Sequence, residues 1–285
     1  MRILYSLLRP NNLKSRVLLV LISVLLHFLS MPGSPFPLLV WLVLVPAGLA
    51  ISNVSPRCSA SLLFLTMSAF WFVGIWWLIP AIVKFTGVSI FFAIPILIAL
   101  CLFISLPYAL VGWLISKKKW LKKPFGIVFI SASYAAITLV LPNPIPGNIA
   151  HSLYQYPIFL QLLDVGGVAI ILFSVIFVNW QIVKAISIFK TKRHQAEYAL
   201  LRGALVLAFV CVYGAFKIAY YEEGSDKASS IKIGMIQPKL LREDNMARLY
   251  TLSEKLVTEN PDIDLLVWPE FPTAFSYVGN RWDKQ

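Results

Sequence analysis

Apolar residues run along this chain in long unbroken blocks separated by short polar gaps. The blocks cover roughly residues 17–31, 36–51, 59–80, 88–115, 125–141, 165–186 and 200–220. Several are close to the roughly 20 residues that a helix needs to cross the hydrocarbon of a bilayer. Continuous blocks, without the period of two that marks a membrane β-strand, predict helices. The expectation is an α-helical polytopic membrane bundle of about seven spans. The first two blocks are short and are joined by Ser30-Met31-Pro32-Gly33-Ser34-Pro35. They predict either a hairpin of two tight spans or a re-entrant pair.

The pattern changes abruptly at Glu222-Glu223-Gly224-Ser225-Asp226, which reads as the start of a polar, flexible linker over 222–230. Beyond it, Ile231-Lys232-Ile233-Gly234-Met235-Ile236 alternates and predicts a strand. Residues 243–259 carry Met246, Leu249, Leu252, Leu256 and Val257 at helical spacing, and Asn260-Pro261-Asp262 ends that helix. Ile263-Asp264-Leu265-Leu266-Val267-Trp268 is nearly continuous in apolar residues, as a buried parallel strand requires. Strand, helix and strand make a βαβ unit, a partial α/β fold with sheet edges and a face left to cover. The predicted organisation is a membrane domain over 1–221, the linker, and the first part of an α/β domain over 231–285.

Composition agrees with a lipid solvent. Of 285 residues, 59% are hydrophobic and 13% are charged, the latter about half the usual share; the mean hydropathy is +0.77. The net charge of +12 suggests nucleic acid at first sight. That partner is rejected, because the basic residues sit in the connections between apolar blocks, where they orient helices and face anionic lipid. Arg2, Arg9, Lys14 and Arg16 precede the first block, Arg57 follows the second, and Lys117, Lys118, Lys119, Lys122 and Lys123 follow the fourth. Lys184, Lys190, Lys192, Arg193 and Arg202 surround the connection after the sixth. The alternate connections are nearly free of positive charge, with Lys84 alone near Phe85 and none in 142–164. Seven spans keep this alternation throughout, and it predicts a cytoplasmic N-terminus and a C-terminal tail across the membrane. The basic-then-apolar N-terminus lacks a small-residue cleavage site before Pro32, so the first helix is expected to be retained.

Cys58, Cys101 and Cys211 form no CxxC or Cys/His cluster. No metal, disulfide framework or cofactor is expected, and the three thiols read as packing residues. His27, Asn179 and Gln181 read as helix–helix hydrogen-bonding groups. Lys84 reads as a side chain snorkelling to the interface. His151, Tyr154, Gln155 and Tyr156 line either a lipid access path or an aromatic belt. The spans are almost uncharged and show no repeat, which disfavours a transporter or channel.

The candidate chemistry lies at Trp268-Pro269-Glu270. A carboxylate just past the C-terminal end of a buried strand stands where open α/β sheets place functional groups. Pro269 ends the ladder, and partial desolvation would suit Glu270 to general-base work, against the alternative of a solvated loop residue.

Val267-Trp268-Pro269-Glu270 resembles the first catalytic motif of the carbon–nitrogen hydrolase (nitrilase) superfamily, and Ile233-Gly234-Met235-Ile236-Gln237-Pro238 resembles that domain's opening strand. A seven-span region before such a domain is similar to one family, the apolipoprotein N-acyltransferases. The run Phe70-Trp71-Phe72-Val73-Gly74-Ile75-Trp76-Trp77 fits it, as do Gly147-Asn148-Ile149-Ala150-His151-Ser152, Gln161, Asp164 and Gly166-Gly167. The resemblance implies acyl transfer from a membrane phospholipid to the N-terminal cysteine of a diacylated lipoprotein, in the bacterial inner membrane with the tail periplasmic. It also implies a trio of glutamate, lysine and cysteine: a thiolate nucleophile, the glutamate as its base, and the lysine at the oxyanion.

Only the glutamate position, Glu270, has a match. The chain is therefore expected to be truncated inside the nitrilase-like domain and catalytically incomplete, with a second chain as one way to complete it. Pro238-Lys239-Leu240-Leu241-Arg242 also departs from the family's pattern, which puts nearby substrate loops in doubt. The alternative expectation is a non-catalytic protein of the same ancestry that binds lipid or docks a partner.

Overall fold

The computed structural model describes residues 10, 12–140, 147–225, 230–237 and 245–269. It divides into two compact units, residues 1–221 and 222–285.

In the first unit, five helices among the described residues are long and apolar enough to cross a membrane. Helix α1 is Leu13–Ser30, started by Asn12, whose side chain accepts a 2.8 Å hydrogen bond from the Ser15 amide. The next segment, Pro37–Ile51, is apolar but is not one regular helix. It is a 3-10 turn over Pro37–Trp41, a turn through Leu42–Leu44, and a short helix α2, Val45–Ala50. Helix α3, Pro56–Ile75, is capped by Ser55 with Pro56 in its first turn.

The third apolar block breaks at Ile75. A separate helix α4, Leu78–Thr86, covers the region read as a loop around Phe85, and Gly87 closes it in the left-handed region at φ 73°. Pro80 gives the physical reason. Its ring would clash with the carbonyl four residues back in a continuing α3, yet it is tolerated in the first turn of a new helix.

Helix α5, Ile90–Lys117, crosses α3 closely. A Cβ on Gly112 would lie 2.6 Å from the Ser59 carbonyl oxygen, and the Ser59 hydroxyl donates to the Gly112 carbonyl at 2.7 Å. Helix α6, Gly126–Val140, is shorter. After the 3-10 turn Ile149–Leu153 and the single turn α7, Pro157–Leu160, comes helix α8, Leu163–Ile188, interrupted at Gly166 and Gly167. Helix α9, Arg193–Ser225, is the fifth long helix, and its apolar span ends at Glu222.

The broken second segment is deeply buried, with Val40, Val43, Leu44, Ala50 and Ile51 at 0–2% exposure. Its irregular backbone closes only part of its own hydrogen bonding, and lipid offers no substitute partner. Three side chains from other elements bond further groups. Asn179 of α8 accepts from the Leu44 amide at 2.8 Å and donates to the Val40 carbonyl at 3.0 Å and the Val175 carbonyl at 2.9 Å. Ser23 of α1 accepts from the Ala47 amide at 2.8 Å. Arg16 donates to the carbonyls of Ala50, of Ser52 (3.2 Å) and of Pro10 (2.7 Å). Asn179 thus joins elements by hydrogen bonds, as its place in the sixth block suggested. Gln181 is buried, but its Oε1 has no hydrogen-bond partner among the described residues.

In the second unit, strand β1 (Ile233–Met235) pairs in parallel with strand β2 (Leu265–Val267), and helix α10 (Asn245–Glu259) lies between them in sequence. The register is Ile233 to Leu265, Gly234 to Leu266 and Met235 to Val267. Gly234 allows close packing, since a Cβ there would meet Leu256 Cδ2 at 2.8 Å. Lys232 Nζ contacts Asp262 at 2.6 Å and holds its carboxyl below the usual range. A depressed native pKa makes this contact stabilising above the unfolded carboxylate range and lost as pH falls through the native value. Ile233, Met235, Leu265 and Val267 all remain exposed, so within this unit an apolar side of the sheet is uncovered.

Asn179→Leu should destabilise the membrane unit by about 1–3 kcal/mol, because the Leu44 amide and the Val40 carbonyl lose their partner while the branched side-chain shape is kept. The check is the thermal unfolding midpoint of the purified protein in detergent. An unchanged midpoint would show that Asn179 does not support the broken segment.

Candidate functional site

A cavity of about 180 Å³ opens within the first unit at the end of α1 that carries Met31 and Pro32. Helix α3 supplies one wall through Met67, Phe70, Trp71, Gly74 and Ile75. Tyr108 of α5, Tyr134 and Thr138 of α6, and the 147–152 loop complete it. Gly74 has nothing within 4 Å of a built Cβ, so its missing side chain keeps the wall open. Five residues of the Phe70–Trp77 run thus line the cavity, Phe70, Trp71, Gly74, Ile75 and Trp77, with the Trp77 indole donating to the Gly74 carbonyl at 2.9 Å.

Most polar groups in this cavity have partners. The Tyr108 and Thr138 hydroxyls share a 2.8 Å hydrogen bond, and the Tyr134 hydroxyl donates to Met67 Sδ at 3.4 Å. In the loop, Asn148 and His151 form a reciprocal cap. The Asn148 side chain accepts from the Ala150 amide at 2.9 Å, and the Asn148 amide donates to His151 Nδ1 at 3.1 Å. His27 differs. Its ring stacks on Phe70 at 4.2 Å and 9°, and its buried Nδ1 has no partner among the described residues. Across helices the ring both stacks on Phe70 and bonds its backbone, while Nδ1 is left over in an apolar lining.

Of the residues read as an access path, His151 lines this cavity, whereas Tyr154, Gln155 and Tyr156 do not. Tyr154 is exposed and accepts from Gln155 Nε2 at 2.9 Å, and Tyr156 packs on Phe159. Lys84 is exposed on α4.

A second polar cluster joins the first turn of α8 to α9. Asp164 Oδ2 lies 2.7 Å from Lys217 Nζ, and the Tyr213 hydroxyl donates to Asp164 Oδ1 at 2.9 Å. Lys217 also donates to the Tyr221 hydroxyl at 3.3 Å. The sequence reading named Asp164 but missed Lys217, a cation inside the seventh apolar block. Its spacing of four residues from both Tyr213 and Tyr221 was the available signal.

In the second unit, β2 ends at Val267 and the next residue is fixed firmly. The Trp268 indole donates to Ser253 Oγ of α10 at 3.1 Å, and its ring meets Tyr250 edge-on at 5.6 Å and 87°. Glu270 lies outside the described residues. Cys58, Cys101 and Cys211 are free thiols on α3, α5 and α9. Among the described residues no group of three or more His, Cys, Asp or Glu is arranged to hold a metal ion.

Lys217→Gln and Asp164→Asn should each lower the thermal midpoint, and the double variant should lose less than the sum, because each single change strands the other partner. Strict additivity in that cycle would show that the ion pair carries no coupling.

Residues 23–181 match the sequence profile of the apolipoprotein N-acyltransferase N-terminal domain. Over 276 residues the chain is 25% identical to the apolipoprotein N-acyltransferase of Geobacter metallireducens, an alignment covering 91% of this chain and 52% of the relative. The chain spans about half the length of the curated relative it matches. The profile covers more than half of the chain and takes in the aromatic α3 wall, the 147–152 loop and Asn179. On that match, this membrane protein belongs to the apolipoprotein N-acyltransferase family.

Proposed function

We propose that the chain contributes the membrane domain and the opening βαβ segment of an enzyme that moves an acyl group from a phospholipid to the N-terminal cysteine of a diacylated lipoprotein. The observation that carries this is the family match along the membrane unit, joined to a Trp-Pro-Glu sequence leaving a parallel strand. In this proposal residues 1–221 form seven passes through the bacterial inner membrane, 222–230 connect, and 231–285 open a nitrilase-like domain in the periplasm. The five long helices support five passes, and Pro37–Ile51 and Gly126–Val140 supply the two shorter ones.

Glu270 is the proposed general base. Trp268, hydrogen-bonded to Ser253, fixes the direction in which the chain leaves β2 toward it. The base would take a proton from a cysteine thiol, whose sulfur attacks the ester carbonyl and releases a lysophospholipid. The lipoprotein amine would then attack the thioester, forming the amide and restoring the thiol. Neither the thiol nor the oxyanion lysine has a match within these residues, since all three cysteines belong to the membrane unit. The donor's alkyl chain has an apolar host in the cavity beside Phe70 and Tyr134. That cavity also favours a second reading, a lipid-binding relative without catalysis, because it needs no nucleophile.

Acylation of a diacylated lipopeptide separates the two. Membranes carrying residues 1–285 alone should show no transfer. The chain continued into a domain that supplies the lysine and cysteine should be active. Glu270→Gln in that protein should reduce turnover by roughly 10²–10⁴-fold. Full activity of the glutamine variant would remove Glu270 from the mechanism, and an inactive continued protein that still binds phospholipid would favour the non-catalytic reading. A periplasm-specific reporter fused after Gln285 should be active, and activity of a cytoplasm-specific reporter there would reverse the topology.

A further inference from the structure

The opposite end of the membrane unit holds a second cavity, of about 370 Å³, that the acyl-transfer reading does not use. It lies where the connection after α2 meets the C-terminal end of α5 and the turn that follows. Arg16, at the start of α1, bonds the Ser52 carbonyl on this side, whereas His27 and Met31, at the far end of α1, line the first cavity.

Three lysines line this second cavity, Lys117, Lys119 and Lys122, and the Lys117 ammonium lies 5.9 Å from the centre of the Trp113 ring. None has a carboxylate partner among the ion pairs of the described residues. The sequence explains why. Residues 1–163 contain no aspartate or glutamate at all, so this stretch of chain has no anion to offer its own lysines. The rest of the lining is mainly apolar, with Ile51, Val54, Pro56, Ile115 and Leu121 beside Asn53 and Ser116. Cationic and apolar residues around one cavity match an amphiphile with a negative head.

The walls are tied in place. The Ser116 hydroxyl donates to the Val54 carbonyl at 2.6 Å, which joins the end of α5 to the connection before α3. The two non-glycine residues with positive φ among the described residues, Asn53 at 56° and Lys119 at 52°, both line this cavity. A lysine held in the left-handed region is sterically costly, and such residues persist where the surrounding structure over-determines them. Lys119 is held by its amide donating to the Ser116 carbonyl at 3.2 Å and by its carbonyl accepting from the Lys122 amide at 2.9 Å.

We propose that this cavity binds the phosphate head of an anionic glycerophospholipid at the basic end of the membrane unit, separately from any acyl donor. Basic pockets between membrane helices recruit such heads by charge and by the apolar surface beneath them. A mere topology signal would need only net charge near the interface, in any arrangement. The proposed site needs Lys119 and Lys122, two of the three lysines that line the cavity, and this separates it from diffuse attraction.

The experiment is native mass spectrometry of the purified 285-residue protein in detergent, titrated with phosphatidylglycerol or phosphatidylcholine. Phosphatidylglycerol should bind at least about tenfold more tightly. Lys119→Gln with Lys122→Gln should weaken it by about tenfold or more, while Lys118→Gln with Lys123→Gln, the same charge change outside the lining, should stay within about twofold. Lys119→Arg with Lys122→Arg should keep the binding, and lipid-free melting of every variant confirms that each is folded. Inorganic phosphate and glycerol phosphate should compete only weakly, because they lack the chain that the apolar lining accepts. Equal loss in both glutamine pairs, equal affinity for the two lipids, or full displacement by soluble phosphate would each overturn the proposal.

Discussion

Everything in the membrane unit leans on one constraint, that an irregular backbone buried among apolar side chains must have its hydrogen bonds closed by something other than water. The Pro37–Ile51 segment is irregular because of its own sequence. Pro37 and Pro46 each open a turn, and neither can donate to the turn before it. Asn179, Ser23 and Arg16 answer from three positions on two helices. Those bonds fix the segment against α1 and α8. Its exit at Ile51, with Asn53 in the connection that follows, lines the basic cavity.

The two cavities divide the chemistry of the unit. One is aromatic and aliphatic, with its polar groups nearly all paired and His27 Nδ1 left over. The other combines three lysines with a mainly apolar lining, in a region whose sequence lacks acidic residues altogether. An uncharged lining suits an alkyl chain, and a charged rim suits a head group. The βαβ unit contributes differently. Its packing fixes Trp268 through Ser253 and Tyr250, which orients the chain just before Glu270, while an apolar side of its small sheet stays uncovered.

Much of this was legible in the sequence. Long apolar blocks predicted the long helices because lipid tolerates nothing else of that length. The switch from blocks to alternation predicted β1, α10 and β2 in the order observed. A buried amide in the sixth block predicted a helix-joining role, and Asn179 has one. Other features were hidden because they depend on partners distant in sequence. Nothing local says that Asn179 would serve a segment some 135 residues earlier. The block 59–80 looked continuous, and only the position of Pro80 separates α3 from α4. Lys217 escaped notice because its partner, Asp164, lies on another helix. The left-handed Lys119 sits in a run of lysines that reads as a plain topology signal.

The proposed role of this membrane unit in lipoprotein N-acylation can be read on lipoproteins themselves. In cells depleted of their own N-acyltransferase, the chain joined to the rest of a nitrilase-like domain would be expressed, and the N-terminal peptide of an abundant lipoprotein weighed by mass spectrometry. The peptide should gain the mass of one acyl chain on its cysteine amine. A peptide that stays diacylated, while the joined protein is present and folded in the membrane, would contradict it.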